Sequence, residues 1–109
     1  MNWFKFFRLK TNKIKKNTEG VVVYIKLSDD EFGSNEERDE ILKLGNMIEE
    51  SVVAEKAGEY DGNEFGEGQG ALYFYGNDRD RLFEIIASSL EKIKFIGAVK
   101  IEKLETLNP

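Results

Sequence analysis

The most regular pattern in the chain is Val21-Val-Val-Tyr-Ile-Lys-Leu27, in which Val21, Val23, Ile25 and Leu27 alternate with Val22, Tyr24 and Lys26. Successive side chains of a strand point to opposite faces, so one face here is wholly aliphatic while the other turns polar, which predicts a strand in the middle of a sheet. Asp29-Asp-Glu-Phe-Gly33 interrupts the pattern. Ser34-Asn-Glu-Glu37 follows with the spacing of a capping box, in which each side chain satisfies an orphan amide at a helix start. Ile41, Leu44, Ile48 and Val52 then recur at intervals of three and four, joined by Leu42 and Met47, and predict an amphipathic helix with an acidic outward face. Gly45 sits beside this stripe, where a missing Cβ allows helix and sheet to approach closely at a propensity cost of ~1 kcal/mol relative to Ala.

The stretch Gly58 to Gly76 holds six of the ten glycines and three of the four tyrosines. Glycine supplies positive φ and close approach, and aromatics suit a pleated surface, so the stretch predicts a hairpin at the centre of a small sheet. Its first strand is expected near Glu55 to Gly62, its turn in Gly66-Glu-Gly-Gln-Gly70, and its second strand from Ala71 to Tyr75. Leu72 and Phe74 would face one way and Ala71, Tyr73 and Tyr75 the other. Asn77 or Asp78 caps a second helix whose buried stripe is Leu82, Phe83, Ile86, Leu90 and Ile93. Gly97 ends it, and Ala98 to Leu104 alternates as a last strand with Val99 and Ile101 inward.

The order strand, helix, strand, strand, helix, strand implies an α+β fold of the split βαβ or ferredoxin-like kind: a four-stranded antiparallel sheet with two helices on one face. At 109 residues the chain suits one such domain. It is expected over residues 20–105, after a basic aromatic arm and linker at 1–19 and before a tail at 106–109. The arm interleaves Trp3, Phe4, Phe6, Phe7 and Leu9 with cations. It reads as a segment that docks on the domain or a partner, with weak contact at a membrane interface as the other reading. Charges interrupt every apolar run, so neither a secretory signal nor a membrane span is expected.

Charge sharpens this division. Residues 1–16 carry six basic side chains and no acid, leaving 10 basic and 21 acidic residues in the remainder, a net −11. Such a body repels nucleic acid and attracts basic partners. The chain has no cysteine and no histidine. Thiolate chemistry, disulfides, imidazole general bases and every Ser-His or Cys-His pair are therefore excluded, and a reducing, cytoplasmic location is expected.

Several short patterns invite chemistry. Asp61-Gly-Asn-Glu-Phe-Gly66 begins like a calcium loop, but Phe65 and Leu72 occupy the positions that need an oxygen ligand and a bidentate Glu. Asp61, Asn63, Glu64 and Glu67 are left as turn residues and solvated acids, or as ligands of a hard cation in some other geometry. The glycines of 66–70 open a strand and not a helix, so no phosphate loop is read there. Glu59, Asp61 and Glu64, with Tyr60 as donor, would supply the carboxylate pair of a small carboxylate- or metal-assisted enzyme using the Gly58–Gly70 hairpin. Tyr24, Tyr60, Tyr73 and Tyr75 are expected to share the sheet face away from the helices. Glu59, Asp61 and Glu102 beside them oppose a phosphate backbone, which disfavours base stacking and favours a protein partner.

Gly58-Glu-Tyr-Asp-Gly-Asn-Glu-Phe-Gly-Glu-Gly68 and Leu72-Tyr-Phe-Tyr-Gly-Asn-Asp-Arg-Asp80, with Leu82, resemble a hairpin motif of small uncharacterised bacterial single-domain proteins. The resemblance covers about half the chain; it implies a bacterial domain and carries no catalytic residue over. The small acidic body with a basic leading stretch is also similar in style to immunity proteins encoded beside bacterial toxins.

The function expected is thus protein binding without catalysis or cofactor, with the candidate surface at Glu59, Tyr60, Asp61, Asn63, Glu64, Glu67, Tyr73 and Tyr75. The partner would be a basic protein, in the manner of an immunity protein, or a second copy in a self-associating regulatory domain.

Overall fold

A computed structural model describes residues 19–93 and 97–104. Residues 1–18 of the expected arm and linker, and the expected tail at 106–109, lie outside the described residues. Six elements follow one another: β1 (Glu19–Lys26), α1 (Asn35–Ala54), β2 (Glu59–Gly66), β3 (Gln69–Gly76), α2 (Arg79–Ile93) and β4 (Val99–Lys103). The strands form one antiparallel sheet in the order β2-β3-β1-β4. Since β1 and β2 are each antiparallel to β3, they run parallel with β3 between them. By the same reasoning β3 and β4 run parallel on either side of β1. Glu19, expected in the linker, already belongs to β1.

The central position of β1 follows from its composition. Val21, Val22 and Val23 are all completely buried, which requires cover on both faces of the strand. Val21, Val23, Ile25 and Leu27 join Ile41, Leu44, Ile48 and Val52 of α1, Leu72 and Phe74 of β3, and Leu82 and Ile86 of α2 in one core. Both helices therefore bury their stripes against the same side of the sheet. Met47, expected to join the stripe, is instead exposed.

The start of α1 is fixed by the expected capping box. Glu37 N donates to Ser34 Oγ at 3.1 Å, and Ser34 N donates to Glu37 Oε1 at 2.9 Å. The same carboxylate accepts from Ser28 N and Ser28 Oγ, both at 2.9 Å, and so ties the end of β1 to the helix start. The hydrogen bond from the Ser34 backbone, followed by that from the Ser28 hydroxyl, holds the Glu37 carboxyl below the usual carboxylate range. At α2, Asp78 serves as the cap: its Oδ1 accepts from Arg81 N at 3.1 Å, and Leu82 N donates to its carbonyl at 3.0 Å.

The hairpin departs from expectation in three ways. Its first strand lies four residues later than expected, at 59–66, and forms an edge of the sheet and not its centre. Its turn is the pair Glu67-Gly68, with φ of 53° and 81°, which matches the twist of a tight hairpin. Gly66 and Gly70 belong to the strands, and Gly70 serves packing: a Cβ there would lie 3.0 Å from the ring of Phe65, its partner across the ladder. The five-residue turn expected from glycine density was too long because Gly70 makes room for an aromatic ring and reverses no chain.

A β-bulge interrupts the pairing between Tyr60 and Gly62. Tyr60 pairs with Phe74, whereas Gly62 pairs with Tyr73, so Asp61 is the extra residue. One added residue inverts the alternation beyond it. Glu64, opposite Ala71, is thereby turned away from the helices, and Phe65 is turned toward the core.

Candidate functional site

On the side of the sheet away from the helices, Val22, Ala71 and Tyr73 form a second buried cluster, with Tyr24, Tyr75 and Leu104 partly buried against it. Neither helix contributes to it. The register supplies the charged surround. Glu59 stands opposite Tyr75, Glu64 opposite Ala71, Glu102 opposite Val22 and Lys100 opposite Tyr24. Lys26, opposite Gln69, lies at the far end of β1.

Polar contacts bind the acids to the aromatic floor. The Tyr73 hydroxyl donates to Glu64 Oε1 at 2.8 Å, and Lys100 Nζ lies 3.0 Å from Glu102 Oε2. The Tyr24 phenol is pushed above its usual range, chiefly by burial and then by the negative charge of Glu102 and Glu64, with Lys100 opposing. Tyr24 therefore stays protonated at physiological pH, as a ring and a hydroxyl donor flanked by carboxylates. Such a surface attracts a guanidinium or ammonium group, which the ring face and the carboxylates both stabilise.

Of the expected site residues, the fold brings Glu59, Glu64, Tyr73 and Tyr75 together on this face. Tyr60 lies on the opposite side, a correction that follows from its pairing with Phe74: the two rings stack with centroids 5.0 Å apart. Its hydroxyl reaches α1, where a Cβ on Gly45 would fall 2.8 Å from it. The helix approach expected at Gly45 is filled by this phenol. Asn63 also turns toward the helix side, with Nδ2 3.4 Å from the Tyr60 hydroxyl. Asp61 occupies the bulge, and Glu67 is exposed in the turn. Leu104 was absent from the expected set, although the period-two phase of Lys100 and Glu102 leads to it.

The dispersal of Asn63, Glu64 and Glu67 to three locations removes the geometry of a cation site built from them. Among the described residues, no group of three or more His, Cys, Asp and Glu side chains gathers. Among them too, no helix is long and apolar enough to cross a membrane. No family model, curated protein or solved structure matches this chain.

Proposed function

We propose that this is a non-catalytic protein-binding domain of ferredoxin-like type, that its tyrosine-bearing outer sheet face is the binding surface, and that its partner is a basic protein segment. The ferredoxin-like reading is supported by the two interleaved β-α-β units, each with one strand of the other between its own strands. The binding reading is carried by one observation: the partly exposed Tyr24 and Tyr75, set around the buried Tyr73, share a face with Glu59, Glu64 and Glu102, and neither helix lies over them. Tyrosine offers large contact area at small entropy cost, and acids around it select cationic side chains while repelling phosphates. An immunity-type role against a basic toxin in a bacterial cytoplasm fits that chemistry. Self-association through the same face is disfavoured, because two copies would bring carboxylates against carboxylates.

Calorimetric titration of the full chain with a decapeptide of alternating lysine and tryptophan tests the proposal. Binding is expected, weaker as salt rises, and lost in Glu64→Lys/Glu102→Lys but retained in Glu50→Lys, whose charge sits on α1. Absence of heat, or equal loss in both variants, would overturn it.

A further inference from the structure

The hairpin leaves β2 at an open edge of the sheet: among the described residues, no strand pairs with its far side. The turn Glu67-Gly68 fixes which backbone groups face that way. Gly66 and Gln69 flank the turn and stand opposite one another, and in a tight hairpin such a pair exchanges both backbone hydrogen bonds. Bonded pairs alternate along an antiparallel ladder, so Glu64 and Gly62 also bond to β3, whereas Asn63 and Phe65 direct their N–H and C=O groups away from it. Neither residue forms another backbone hydrogen bond among the described residues. The bulge at Asp61 ends the regular run, which therefore extends over residues 62–66. On the outer side of this run Glu64, held by the Tyr73 hydroxyl at 2.8 Å, stands between Gly62 and Gly66, which have no side chain to crowd a neighbour. A Cβ on Gly66 would lie 3.8 Å from the ring of Phe32, and Phe32 is 58% exposed. The other edge of the sheet differs in charge. In β4, Lys100 lies 3.0 Å from Glu102, and Lys103 lies 2.7 Å from Asp80, so that edge presents cations of its own to a basic chain.

We propose that the basic segment of the partner binds as an added antiparallel strand along residues 62–66 of β2, with backbone hydrogen bonds to Asn63 and Phe65 and a cation opposite Glu64. In this mode of recognition the main chain supplies affinity and alternate side chains supply specificity. Residues directly opposite one another share a face, with Cβ atoms about 4.5–5.5 Å apart. A cation opposite Glu64 therefore meets its carboxylate, and one opposite Gly66 meets the Phe32 ring. The side chains between them fall on the helix side, beside Phe65. The outer face is thereby extended by one strand. A second copy of this chain is a poorer occupant, because pairing two β2 strands about Glu64 sets like charges across from each other. This inference rests on the reading of the outer face as a binding surface for basic segments, and names how such a segment is held.

The lysine-tryptophan decapeptide tests the added strand through its own backbone. With lysines opposite Glu64 and Gly66, tryptophans stand opposite Asn63 and Phe65, and their amides point at β2 while the lysine amides point away. Calorimetry of the full chain is expected to show binding weakened more than about tenfold when the tryptophan amides are N-methylated, since each loses a hydrogen bond, and less than about threefold when the lysine amides are. In a hydrogen-exchange series, the amides of Asn63 and Phe65 should exchange more slowly once the unmethylated peptide is added. Equal effects of the two methylations, or unchanged exchange at both amides, would overturn the added strand while binding of the unmethylated peptide retains the function. Failure of that peptide to bind rejects both. Slowed exchange in β4 in place of β2 would overturn the inference in favour of the other edge. Slow exchange at Asn63 and Phe65 without peptide, in a dimer that forms as concentration rises, would overturn it in favour of a second copy.

Discussion

On the helix side of β1, Val21, Val23 and Ile25 belong to one large apolar cluster with residues of both helices and β3; on the other side, Val22 meets Tyr73, with Tyr24 and Tyr75 bordering it and Glu64 hydrogen-bonded to Tyr73. The same strands build both surfaces. The helix side gains stability from aliphatic burial, about 1.5–3 kcal/mol for each fully buried side chain. The outer side buries Tyr73 almost completely, with its hydroxyl donating to Glu64, and buries Tyr24 and Tyr75 in part. One sheet thus carries the main aliphatic core on one side and a smaller cluster of Val22, Ala71 and Tyr73, bordered by Tyr24, Tyr75 and acids, on the other, and the bulge at Asp61 keeps β2 in phase with that division.

The largest expected effect lies on the helix side. Phe74 is completely buried and stacks on Tyr60, so Phe74→Ala should cost about 3–5 kcal/mol, measured by urea unfolding. Tyr75→Ala, on the opposite face of the same strand, should cost less than half as much. Equal costs would break the division between the faces. Next in size is Tyr73→Phe, which removes the 2.8 Å hydrogen bond to Glu64 and should cost about 0.5–1.5 kcal/mol with the fold retained.

Smaller effects come from titration. The carboxyl of Glu37 is held below the ordinary range by its bonds from Ser34 and Ser28. Its contribution to stability is therefore present above the unfolded-state value and lost as pH falls through the lowered folded value. Glu37→Gln should flatten this part of the acid-induced loss in a pH series of thermal unfolding. Tyr24 tests the outer face in the other direction. Its phenol should titrate in ultraviolet absorbance above the ordinary value of about 10, and Glu102→Gln should bring that titration down, because burial is the first cause of the rise and Glu102 the second. A phenol that titrates at its ordinary value would contradict the flanking of Tyr24 by acids.

The sequence made much of this division legible. The alternation of Val21 to Leu27, the Ser34/Glu37 capping box and the stripes of both helices each reflect a local rule, and the elements lie where those rules lead. The hairpin was harder to read because its deciding contacts are nonlocal. Gly70 resembles a turn glycine until the Phe65 ring is seen across from it. Tyr60 and Tyr73 appear alike in sequence, yet only Tyr60 pairs with Phe74 beneath α1. The bulge that turns Glu64 outward leaves no mark in a period-two pattern, since Asp61 is as polar as its neighbours. Of the four tyrosines expected on the outer face, Tyr24, Tyr73 and Tyr75 lie there and Tyr60 does not.

The outer face as a surface for basic segments is tested most directly by residue-resolved NMR of the full chain during titration with the lysine-tryptophan decapeptide. The expected result is a set of saturable shifts centred on Tyr24, Glu64, Tyr73, Tyr75 and Glu102, diminishing as salt rises. Shifts centred instead on the exposed acids of α1 or on Asp29 to Glu31, or no saturable shift anywhere, would contradict the assignment.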